Sequence, residues 1–192
     1  EQSDNMVALS LSSADHAELL EQYPYPFKIV ARYTIDAEKV AVSYEVTNEG
    51  TEDMPFFVGG HPGFKCPLDE GESYDDYELR FEQREAAELC TAVPSTGLID
   101  VEHRSKNPMI GQNPPLTHEL FDFAETIFDV LESRVVTLTK KTEDKGVRLT
   151  FPDMPYLIVW SKPEGDFVAV EPWGGLSTCC LLYTSPSPRD CS

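Results

Sequence analysis

At 192 residues, 41% of them hydrophobic, the chain is long enough for one domain with its own core. Its 34 acidic against 15 basic side chains give a formal net charge of −19, which repels phosphate backbones and anionic lipid headgroups and argues against nucleic-acid and membrane partners. Five cysteines (Cys66, Cys90, Cys179, Cys180 and Cys191), without C-x-x-C spacing, predict free thiols of a reducing compartment, the cytoplasm, rather than a disulfide framework or a zinc site.

In chain order, Val7 to Leu11 reads as a first strand, and Ser12 or Ser13 caps a short helical connector that Pro24 and Pro26 stop. Phe27, Ile29, Ala31, Tyr33 and Ile35 alternate on one face of the next strand. Val40, Val42, Tyr44 and Val46 do so on the one after it, and the short polar Asp36-Ala37-Glu38 joins the two as an antiparallel hairpin. Further strands are expected at Pro55 to Gly59, Tyr77 to Phe81, Val135 to Thr139, Val147 to Phe151, Tyr156 to Trp160 and Phe167 to Val170. Asp100 to Pro115, with Asn107-Pro108 and Asn113-Pro114-Pro115, has neither period and is expected to be a long surface loop. Many short strands at close spacing predict an all-β, antiparallel β-sandwich or barrel.

The run LLYTSPSPRD, from Leu181 to Asp190, breaks the alternation and resembles the translation of a sequencing-library adapter. Residues 180–192 are therefore expected to be a non-native tail, and the start at Glu1 without Met suggests that the chain is a fragment, with a partial domain over 1–179. Excluding the tail leaves the net charge unchanged, because Arg189 and Asp190 cancel.

Two places interrupt the strand rhythm with titratable groups. In GGHPGFKCPL, from Gly59 to Leu68, the two glycines allow close backbone approach and Pro62 holds His61 extended, so an imidazole that titrates near neutrality is given a fixed direction. The plainer alternative is a strand-end histidine satisfied by local partners. In FVAVEPW, from Phe167 to Trp173, Glu171 shares a face with Phe167 and Ala169. A carboxylate buried there has its pKa raised, as a general base working near neutral pH requires. If that face is instead a solvated edge, Glu171 is an ordinary surface acid and Trp160 and Trp173 are core residues. His16, His103 and His118 fall on polar stretches and read as surface residues, and the clusters Asp69-Glu70-Gly71-Glu72 and Asp75-Asp76 lack calcium-loop spacing.

The run YPYPFKIVARYTIDAEKVAVSYEVTNEGTEDMPFFVGGHPGFKCPL, followed by MPYLIVWSKPEGDFVAVEPWGGL, resembles the aldose 1-epimerase, or galactose mutarotase-like, family and within it the LacX-like branch. The resemblance covers Asp4 to Cys179. It implies an antiparallel β-supersandwich, here incomplete, and cofactor-free interconversion of the α and β anomers of an aldohexose. It implies His61 as the acid at the ring oxygen and Glu171 as the base at the anomeric hydroxyl, with Phe64, Trp160 and Trp173 as sugar-contacting residues. The family's further arginine and histidine, in a G-F-A-R-like segment, would lie upstream of Glu1, so the fragment is expected to be inactive. Relatives of the branch also show an acidic residue in the segment reading ELFDFAETIF; the aligning position is Ala124, near Asp122 and Glu125. Two other readings stand beside this one: a sugar-binding module without turnover, and a structural β-sandwich that binds a protein partner.

Overall fold

The computed structural model describes residues 1–93, 95, 98–122 and 124–176. The expected tail at 180–192 lies outside them, as do Cys179, Cys180 and Cys191. Thirteen strands are found: β1 (Gln2–Ser3), β2 (Met6–Ser12), β3 (Phe27–Asp36), β4 (Lys39–Asn48), β5 (Gly63–Lys65), β6 (Tyr77–Phe81), β7 (Leu89–Val93), β8 (Leu98–Ser105), β9 (Thr126–Phe128), β10 (Val135–Lys140), β11 (Gly146–Thr150), β12 (Tyr156–Trp160) and β13 (Phe167–Trp173). Every pairing between them is antiparallel. Helical structure among the described residues is limited to short 3-10 turns at Ala17–Glu21, Tyr74–Asp76 and His118–Phe121.

Where composition suggests one domain, contacts resolve two compact units, Glu1–Phe56 and a second beginning at Phe57. The first is the sheet β1-β2-β3-β4. Register places Val7 opposite Tyr33 and Tyr33 opposite Val42, so the alternating apolar residues of three strands form one continuous face. Val7, Leu9, Leu11, Tyr33, Ile35, Val40 and Val42 on that face are exposed, Val40 to 67%. A sheet normally buries one face against a second layer; here the amphipathic pattern is complete and the apolar side is open.

In the second unit the sheets β11-β10-β6 and β5-β13-β12-β9 share a core. Leu79 and Phe81 of β6 and Val136 and Leu138 of β10 meet Phe128, Leu157, Val159, Val168 and Val170 from the other sheet, all close to fully buried. A second, smaller cluster lies on the far side of β12 and β9, where the β7-β8 hairpin sets Cys90 and Ile99 against Ile127 and Ile158. Glu85, 2% exposed, ties this arrangement together: its carboxylate accepts the N–H groups of Ser133 (2.9 Å) and Glu132 (3.2 Å). Its backbone pairs in both directions with Gly111.

Two local expectations are corrected. Asp100 to Ser105 is not loop but the greater part of β8, which a charged, non-alternating sequence conceals. Pro55 to Gly59 forms no named strand and carries only an isolated bridge at Gly59. The segments β5 and β9, of three residues each, are too short to show a period.

The core and the open face predict opposite responses to substitution. Leu157→Ala, in a fully buried position, should cost about 2–5 kcal/mol in urea unfolding. Val40→Lys on the open sheet should change stability by no more than about 0.5 kcal/mol and reduce binding of a hydrophobic dye. Glu85→Ala strands the buried N–H of Ser133 and should cost about 1–3 kcal/mol.

Candidate active site

The segment 57–66 and the segment 166–175 run antiparallel in a single register that extends beyond the three residues of β5. Lys65 faces Phe167, Gly63 faces Ala169 and Gly59 faces Trp173, which leaves His61 opposite Glu171. The ladder bonds come from the positions between: Gly174 N–H to Val58 C=O (2.7 Å), Gly60 N–H to Pro172 C=O (3.0 Å), Val170 N–H to Pro62 C=O (3.1 Å) and Cys66 N–H to Asp166 C=O (3.1 Å). Pro62 and Pro172 have no N–H to return, so the ladder is thinned at the point where the site sits. His61 and Glu171 form a non-hydrogen-bonded pair, the kind that brings cross-strand side chains closest.

Two residues 110 positions apart are thereby brought into contact, with His61 Nδ1 3.3 Å from Glu171 Oε1. Their surroundings differ sharply: the imidazole side chain is 67% exposed and the carboxylate 4%. The second carboxylate oxygen, Oε2, accepts the indole N–H of Trp173 at 3.3 Å. Burial pushes the Glu171 carboxyl above the usual carboxylate range, opposed by the charge of His61 and the Trp173 hydrogen bond and reinforced by the negative charge of Glu125. With Nδ1 turned to Glu171, Nε2 is the ring nitrogen that this contact does not use.

Trp160 lies on the same face, paired with Ala169 and edge-on to Phe167 at 5.6 Å between ring centroids, so an aromatic wall stands one step along the sheet from Glu171. Phe64 does not join it. Paired with Val168, it sits at the alternate position of the strand and packs against the larger core, away from His61. Of the two acidic candidates before β9, Glu125 is near enough to act on Glu171. Asp122 ends a 3-10 turn and is exposed. Glu125 has the parity of Ile127, which lies in one cross-strand row with Ile158 and Glu171, and that relation needed the sheet order to be seen.

The remaining histidines sit elsewhere: His16 and His103 contact Glu18 and Asp100 at the surface, and His118 stacks on Tyr74 and meets the Gly165 carbonyl. Cys66 and Cys90 are free and buried, and burial pushes both thiols up to about 12, so they stay protonated. Among the described residues no cluster of three or more histidine, cysteine or acidic side chains is placed to hold a metal ion, and no helix is long and apolar enough to cross a membrane.

A carboxyl whose folded pKa exceeds the ordinary value of 4.5 binds its proton more tightly in the folded state. Its favourable contribution is present below the unfolded value and lost as pH rises through the folded one. Glu171→Gln, neutral throughout, should therefore melt on the order of 2–4 °C higher than the parent at about pH 8. The two should converge at about pH 4. Thermal melts at both pH values check this, and a gap independent of pH would show that the ion is not what destabilises.

The sequence model of the aldose 1-epimerase family matches residues 1–184. The plasmid-encoded and chromosomal LacX proteins of Lactococcus lactis subsp. lactis are each 39% identical over 180 residues, which covers 93% of this chain and 60% of theirs. A galactose mutarotase-like protein from Lactobacillus casei ATCC 334 superposes with a TM-score of 0.77 at 31% identity, over 92% of this chain and 60% of that one. A galactose mutarotase related enzyme from Lactobacillus acidophilus shares the fold, with a TM-score of 0.76 at 24% identity, over 92% of this chain and 58% of its own. The chain thus spans about three-fifths of the LacX proteins it matches, with the antiparallel galactose mutarotase-like fold. It belongs to the aldose 1-epimerase family.

Proposed function

We propose that the full-length protein containing this chain is a cytoplasmic mutarotase that interconverts the α and β anomers of an aldohexose, with residues 1–179 forming part of its catalytic domain. The observation that carries this reading is the contact between exposed His61 and buried Glu171 on one sheet face. The ring oxygen and the anomeric hydroxyl of a pyranose are attached to one carbon, so an acid and a base must converge on one small volume to act on both.

Glu171, as carboxylate, takes the proton of the anomeric hydroxyl. The O–H electron pair becomes the second C1–O1 bond, the C1–O5 pair departs to the ring oxygen, and that oxygen takes a proton from Nε2 of the His61 imidazolium. The open aldehyde turns about C1–C2 and recloses on its other face by the reverse transfers, which return both groups to their starting states. The raised pKa of Glu171 brings the base nearer to working pH, where proton transfer is most effective. In this reading Trp160 and Trp173 offer apolar surface to the C–H face of the ring.

The test follows the optical rotation of freshly dissolved α-glucose and other aldohexoses with the full-length protein. Glu171→Gln should lower turnover by about a hundredfold or more while sugar binding, read as a thermal shift, largely persists. A sugar-dependent shift without any acceleration would make the protein a non-catalytic carbohydrate-binding module, and neither effect with any aldohexose would end both readings.

A further inference from the structure

We propose that Gly59 and Trp173 act together as a positioning pair for the Glu171 carboxylate, Gly59 by lacking a side chain and Trp173 by resting its indole there with the N–H turned onto Oε2. The functional meaning of the pair rests on the reading of Glu171 as the base; the contact itself does not.

The two residues face each other across the ladder one step from His61 and Glu171. A Cβ on Gly59 would lie 2.8 Å from Cδ1 and Cγ of Trp173 and 3.2 Å from Cδ2, closer than side-chain carbons approach one another. The obstacle is a rigid ring rather than the free end of a flexible chain, so it cannot yield without moving as a whole. Gly59 does not adopt the left-handed backbone, so conformational freedom is not what requires glycine here; the close approach is. The edge of the indole that rests on Gly59 is the pyrrole edge, and Cδ1 is bonded to Nε1. Anything that lifts this edge also moves the N–H that reaches Glu171 at 3.3 Å. Because His61 meets Oε1 and Trp173 meets Oε2, each carboxylate oxygen is held from one side. Without the indole donor the group is free to turn about its last bond, and a charged form stripped of one hydrogen bond is disfavoured.

The charged or titratable groups around Glu171 are His61 across the ladder and Glu125 before β9, with Tyr156 on β12 and Cys90 on β7 on the same side of the sheet. None of them is altered by the variants that follow. The experiment is a pH titration of the Glu171 carboxyl carbon by NMR, in this chain labelled at glutamate, with Glu171→Gln identifying the resonance. Trp173→Phe keeps an aromatic side chain and removes the indole N–H, and should move the midpoint up by about one pH unit. Gly59→Ala should move it in the same direction in the parent and add nothing in the Trp173→Phe background. A midpoint unchanged by Trp173→Phe, or a Gly59→Ala effect that persists without the indole donor, overturns the proposal. If Gly59→Ala does not fold, Trp173→Phe alone decides. In the full-length protein the acidic limb of the turnover profile should shift upward in parallel. A shifted titration with no mutarotation in any variant would support the positioning pair and remove the epimerase reading.

Discussion

Everything proposed for this chain depends on one register. Segments 57–66 and 166–175 are locked together by backbone hydrogen bonds at alternate positions, and the positions between them carry Gly59, His61 and Gly63 opposite Trp173, Glu171 and Ala169. A slip of one residue would turn His61 to the core and Phe64 to the surface, because alternate side chains leave a strand on opposite faces. The slip is resisted from the other side of the sheet. Val168, Val170, Leu157 and Val159 are fully or almost fully buried in the larger core, so the energy that fixes the register comes from apolar burial on the face that does no chemistry.

That division of labour also explains how a carboxylate comes to be buried. Glu171 occupies a position that the alternation assigns to the second face, where Ile158 and Ile127 share its cross-strand row and the β7-β8 hairpin covers the neighbours. Desolvation there opposes ionisation, and two nitrogen groups, the imidazole and the indole, offset part of the cost. Glu125 works against them. The result is a carboxyl held above its usual range but still supplied with partners for its charged form, which is the compromise a base near neutral pH requires.

Much of this was legible in the sequence where the period of two is long. β3 and β4 begin where the alternation begins, and β6 and β12 coincide with their predicted spans. His61 and Glu171 were recognisable as residues because glycine, proline and tryptophan break the pattern around them. Their convergence followed only from the acid and base roles that the family resemblance implies, since no local signal relates positions 110 residues apart. Phe64, which the family resemblance puts among the sugar-contacting residues, stands three residues from His61, and odd and even positions of an extended chain part company. Strand β8 was concealed by its charged residues, and β5 and β9 by their brevity. The pairing of Gly59 with Trp173 depends on the same long-range register.

His61 Nδ1 and Glu171 Oε1 face each other at 3.3 Å, and in the proposed reaction this contact has a chemical consequence. In the proposed reaction an imidazolium beside a carboxylate is the starting state, and the charge of His61 opposes the upward push that burial gives Glu171. Ring opening leaves both neutral, and reclosure restores both charges, so the pair carries the same number of protons, and the same net charge, before and after each half of the reaction. In the proposed reaction no proton has to be fetched from bulk solvent during turnover, and the buried member never has to hold an uncompensated charge. The exposed member alone needs freedom to move, since its Nε2 must reach the ring oxygen. The asymmetry of 67% against 4% exposure fits that assignment: Glu171 is fixed by the sheet and the indole, and His61 is left open on the side from which a sugar would approach.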